Sequence, residues 1–195
     1  MPPKTGRPRS HRRPSPAHRV FIALGAVLPV AAGVAIWLIG QHHTPEYTTS
    51  LFGQEGEGAV TLKARLGTAL LGLAVIQVLL AMGMYGRRGG LNAAPRRIRV
   101  SHRLIGWAAF LLSVPIAYHC VRTYGVETIN TRVYVHSVAG CALYGAFVAK
   151  VLVVHSRHLP GWLLPATGST LFAAIGVLWY SAPLWALNEY TVPGL

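Results

Sequence analysis

Charge is what this chain of 195 residues has least of: Asp, Glu, Lys and Arg together make up 12%. That is too little to clothe a soluble domain of this size. Acid is scarcest, with no aspartate and five glutamates, Glu46, Glu55, Glu57, Glu127 and Glu189. No carboxylate pair, no nucleophile set beside a base and no nucleotide-binding glycine loop occurs, which argues against an enzyme acting alone. The two cysteines, Cys120 and Cys141, differ in depth by about one and a half turns if their segments run antiparallel. That offset disfavours a disulfide and leaves two apolar thiols. Period-two alternation is missing as well, which excludes a β-barrel.

What the chain has instead is hydrophobic length. Apolar residues make up 52%, and five stretches lack Asp, Glu, Lys and Arg altogether: 20–45, 66–86, 104–121, 133–149 and 158–188. Each supplies the ~17–25 residues that a helix needs to cross the hydrocarbon. The sequence therefore predicts an all-α integral membrane bundle of five transmembrane helices, at about 20–40, 61–85, 101–124, 131–155 and 161–187. Residues 1–19, rich in Pro, Arg and Ser, are expected to be a disordered basic tail, 20–188 the transmembrane domain and 189–195 a short tail. The first apolar run is too long for a signal-peptide core and reads as a retained anchor. No soluble domain is large enough to fold apart from the bundle.

Basic residues set the expected orientation. With the N-terminus in the cytoplasm, fourteen of the eighteen Lys and Arg fall inside. Lys63, Arg65, Arg122 and Arg132 remain outside with all five glutamates. This bias predicts N-terminus in, C-terminus out, in the cytoplasmic (plasma) membrane. The net charge of +13 is then topology and attraction to anionic lipid of the bilayer, not nucleic-acid binding.

Four histidines stand at the ends of the third and fourth apolar runs: His102 and His119, then His136 and His155. In an antiparallel pair of helices facing residues keep a constant sum of numbers, so His119 and His136 share one depth and His102 and His155 another. Seventeen residues separate the first two and nineteen the second two. At ~100° per residue these turn the side chain by ~−100° and ~+100°, mirror-related rotations that two shared sites would need. Imidazoles at matched depth between membrane helices are how b-type haem is commonly held. All four are therefore candidate haem-iron ligands. His102 and His155 also stand near the interface, beside Arg103 and Arg157, where water and head groups account for them better than ligation does. Gly106 and Gly140 lie one turn after His102 and His136 and would let a flat macrocycle approach the backbone, though small residues also serve plain helix packing. Arg122 and Arg132, with Lys63 and Arg65, are candidate partners for haem propionates, or simply snorkel to the interface. His18, His42, His43 and His158 fall in tails or loops and are expected to be solvated.

Several strings carry a resemblance: His102-Arg-Leu-Ile-Gly106, Pro115-Ile-Ala-Tyr-His119-Cys120, Val135-His136-Ser-Val-Ala-Gly140-Cys141, Ser50-Leu51-Phe52-Gly53, Tyr144-Gly145-Ala146-Phe147 and Leu159-Pro160-Gly161-Trp162. They resemble an uncharacterised family of small actinobacterial membrane proteins, over most of the chain after residue 20. That family is distantly similar to b-type membrane cytochromes and ferric-reductase-like haem bundles. The resemblance implies His102, His119 and His136 as site positions and a Rieske-type iron–sulfur protein as neighbour; His155 departs from the pattern. A transporter would need polar groups at mid-membrane, and Gln77 alone meets that description. The sequence thus favours an electron-transfer protein with at least one b haem between helices three and four, serving a redox partner or a quinone at the outer face. The rival is a cofactor-free structural or assembly subunit of a membrane redox complex.

Overall fold

A computed structural model describes residues 16–85, 94–156 and 159–194. The expected tail up to residue 15, most of the loop after Tyr85, and Arg157 and His158 lie outside the described residues. Within them the chain forms five helices: α1 (Pro16–His42), α2 (Gly56–Tyr85), α3 (Arg96–Tyr124), α4 (Thr131–His155) and α5 (Leu163–Trp179). A π turn, Tyr180–Leu184, carries α5 into a last turn, Trp185–Leu187.

Four helical stretches, Gly56–Tyr85, Arg96–Tyr124, Thr131–His155 and Leu163–Leu187, are long and apolar enough to cross a membrane. The apolar part described in α1, Val27–His42, is shorter. Large aliphatic side chains such as Ile39, Leu79, Leu104 and Leu111 stand outward on the bundle, a surface that suits hydrocarbon and not water.

Several helices start earlier than hydropathy predicts. α1 takes in residues 16–19, opening on Pro16, whose fixed φ suits a first turn. α2 starts at Gly56 and places Glu57 in its first turn, where the helix dipole favours an anion. α3 starts at Arg96, directly after Pro95. Polar first turns extend beyond the hydrocarbon, so charge-free length understates them. α4 matches the expected bounds, because the Asn130 side chain accepts the Val133 N–H (2.9 Å) and fixes its start.

Helix pairing follows small residues. α1 lies on α4, α4 on α5, α5 on α2 and α2 on α3. A Cβ on Gly145 would come 2.7 Å from the Pro29 carbonyl, and one on Gly33 would come 3.2 Å from the Cys141 carbonyl. α1 and α4 are therefore in backbone contact. A Cβ on Gly67 would strike Pro183, which brings α2 against the π turn. The third and fourth helices, expected as packed neighbours, meet instead through side chains. Phe110 stacks on Phe147 with centroids 4.1 Å apart, and Tyr144 lies 3.3 Å from the Ser113 hydroxyl. Beyond this contact, toward the α3–α4 turn, the two helices leave a cavity.

That end of the bundle carries all five glutamates and is called the acidic end below. At its turn Gly125 adopts φ +71°, and a Cβ there would lie 2.8 Å from the Gly40 carbonyl. The α1–α2 loop, residues 43–55, is tied down on the same end. Glu46 forms an ion pair with Arg122 (2.9 Å), its N–H donates to the Arg122 carbonyl (3.1 Å), and His43 Nε2 donates to that carbonyl (2.9 Å). His43 is thus a structural tie and not simply a solvated loop residue.

Candidate functional site

The cavity between α3 and α4 has a volume of about 710 Å³, within the ~300–1,000 Å³ of ordinary ligand sites. α2, α3, α4 and the π-turn end of α5 wall it, and Tyr47 and Thr49 of the α1–α2 loop close part of its acidic end. Most of its lining is apolar. Its polar groups gather toward the acidic end, where Lys63 and Arg132 stand with His119 and His136.

His136 projects from the second turn of α4, one turn after Arg132. Its Nδ1 lies 2.9 Å from Ser181 Oγ. The Ser181 hydroxyl spends its own hydrogen on the Val177 carbonyl (2.7 Å), so Nδ1–H is the donor and Ser181 the acceptor. Nε2 therefore carries a lone pair. Among the described residues no protein group bonds to it, and the residue lines the cavity. Ser181 is fully buried and is placed by the π turn; its carbonyl accepts from Arg132 (2.9 Å). Arg132 in turn lies over Trp185, 3.8 Å from the ring centroid. Widened turns of this kind accompany functional sites.

His119, on the last turns of α3, is 2% exposed and bonded at both nitrogens. Nε2 stands 3.0 Å from the Thr49 carbonyl, which can only accept, so Nε2 carries the hydrogen. Nδ1 is left to accept from the Thr123 hydroxyl (3.2 Å). Lys63 covers the Tyr124 ring at 4.4 Å, and Gly140 lines the wall, with Leu178 the nearest atom to an added Cβ at 3.9 Å.

The other candidates stand elsewhere. The His102 carbonyl accepts from Gln77 Nε2 (2.5 Å), and Gly106 lies beside the same Gln77 amide. Gln77 therefore ties α2 to α3. His155 is exposed, with Nδ1 bonded to the Val151 carbonyl of its own helix (2.8 Å). Arg122 is engaged by Glu46. Arg65 lines a separate shallow groove with Phe52 and Glu57. Cys120 and Cys141 both line the main cavity, and both are free.

Ser181, Thr49 and Thr123 were not singled out by sequence. The one local signal was Ser181 two residues before Pro183 in an otherwise apolar helix, since a proline inside a helix disturbs its bonding and makes room for a widened turn.

Fold and cavity together define a multi-pass helical membrane protein with a histidine-walled cavity at one end. The chain belongs to a family of unknown function, DUF6529, whose model matches residues 22–194. No curated protein and no solved structure matches it.

Proposed function

We propose that this protein transfers electrons in the cytoplasmic membrane and holds at least one b-type haem in the cavity at the acidic end. His136 would hold the iron, and His119 stands on the α3 wall. The observation that carries the reading is the bonding of His136. Nδ1–H is given to Ser181 and Nε2 is left bare on a residue that lines an apolar cavity, the arrangement in which ligand histidines are held.

The remaining donor set suits the same group. The walls are apolar, Gly140 keeps one of them flat, and Lys63 and Arg132 offer cations to propionates at the rim. A b haem supplies one-electron chemistry between its ferric and ferrous states. This chain's residues bind and orient it, and the Thr49 loop shields it from water. His102, Gly106, His155 and Arg122 have no part in this site.

The Lys/Arg distribution supports α1 as a fifth span, with the N-terminus inside and the acidic end outside. Electrons are then exchanged at the outer face, with a Rieske-type iron–sulfur protein or a quinone as the suited partner. The test is the spectrum of protein purified from haem-replete cells. We expect a red-brown sample with a Soret band, and loss of that band in His136→Ala. A colourless, folded, monodisperse wild type would remove the reading and favour the cofactor-free subunit.

A further inference from the structure

The two cavity histidines are not equivalent, and the difference concerns what can reach the face opposite His136. Bis-histidine ligation needs a bare nitrogen from each. His136 has one. His119 has none: Nε2–H is given to the Thr49 carbonyl (3.0 Å) and Nδ1 takes the Thr123 hydroxyl (3.2 Å).

The Thr49 carbonyl is not a loose partner. Thr49 N–H (3.0 Å) and its hydroxyl (2.8 Å) both donate to the Glu46 carbonyl. Glu46 is clamped to Arg122 through its backbone N–H (3.1 Å) and its carboxylate (2.9 Å). Freeing Nε2 would strip a carbonyl of its donor and require this tied loop to withdraw. The side chains beside it on the α2, α3 and α4 walls are otherwise engaged or apolar. Tyr144 is paired with Ser113, Lys63 lies over Tyr124, and Cys120 and Cys141 are thiols in an apolar wall.

We infer that His119 is a bonded wall residue and not an iron ligand, so that a haem in this cavity would take His136 as its one protein ligand and would accept a small exogenous ligand, a neutral diatomic of the carbon monoxide type. This rests on the haem reading above. It adds to that reading a ligand-binding site with one protein ligand, walled on one side by an imidazole whose hydrogen bonds are already spent.

The experiment is a dithionite-reduced spectrum of the full chain, with and without carbon monoxide, for wild type and His119→Gln. Glutamine can still donate an N–H to Thr49 but is a poor iron ligand. We expect a high-spin reduced spectrum in wild type, a sharpened and shifted Soret band at one carbon monoxide per haem, and the same behaviour in His119→Gln. A low-spin wild-type spectrum indifferent to carbon monoxide overturns the inference and leaves the haem reading standing. So does carbon monoxide binding that appears only in His119→Gln, or wild-type haem that His119→Gln loses. A colourless wild type overturns both, and is distinguished from the former results by the missing Soret band.

Discussion

Ser181 does two things with one residue. Its hydroxyl fixes which nitrogen of His136 is bare, and its carbonyl holds Arg132 over Trp185. Removing the hydroxyl separates these roles, because Ser181→Ala keeps the carbonyl. His136 would then be free to turn or to change tautomer. Hydrogen-bond partners of a metal-holding histidine are worth ~10–100-fold in metal affinity. Haem transfer from Ser181→Ala to an excess of apomyoglobin should therefore be faster by about that factor, with helicity unchanged. A transfer rate equal to wild type would mean that the Ser181 bond does not hold the ligand. Sequence could not supply this pairing, since 45 residues separate the two partners. His119 and His136 were legible as a pair at one depth, because a helix converts residue number into height. Their bonding was not, because it depends on a loop carbonyl for His119 and on a serine at the end of the next helix for His136.

At the scale of elements, hydropathy found every helix but not its neighbours. α3 and α4 are joined by a six-residue turn, 125–130, yet it is α1 that lies on α4. The reason is where small residues meet. Without a hydrophobic drive between helices in lipid, backbones approach where side chains are absent. Gly33 and Gly145 give α1 and α4 that approach, while Phe110, Phe147 and Tyr144 hold α3 off α4 and leave the cavity. The two glycines that sequence reads as room for a macrocycle thus divide: Gly140 lines the cavity, whereas Gly106 lies beside Gln77. Gly145→Ala puts a methyl 2.7 Å from the Pro29 carbonyl, an overpacking that costs about 1–3 kcal/mol. Thermal unfolding in detergent should show the loss, whereas Gly72→Ala, with nothing within 4 Å of the added carbon, should unfold as wild type does. Equal midpoints for the two variants would mean that α1 does not dock on α4 through this glycine.

At the scale of the whole molecule, charge separates the two ends. The acidic end holds the five glutamates, the cavity, and a C-terminal segment folded back so that the Tyr190 hydroxyl reaches Glu57 (3.4 Å). The other end holds the basic first turn of α3, with Arg96, Arg97 and Arg99. Lys and Arg resist translocation far more than glutamate does, so this asymmetry supports the proposed orientation, with the acidic end outside. Glu55 and Arg97 are both exposed, one at each end. In a cysteine-free background, Glu55→Cys should react with a membrane-impermeant maleimide in intact cells, and Arg97→Cys only after permeabilisation. The same two positions report on the partner. Electron tunnelling falls steeply with distance, so the haem proposed for the acidic end would oblige its partner to dock there. Photo-crosslinkers on Glu55→Cys should capture a redox protein, less efficiently as salt rises, because acidic docking surfaces are screened within ~10 Å at 0.1 M. Labelling of Arg97→Cys in intact cells would invert the topology, and capture from Arg97→Cys alone would move the working face to the basic end.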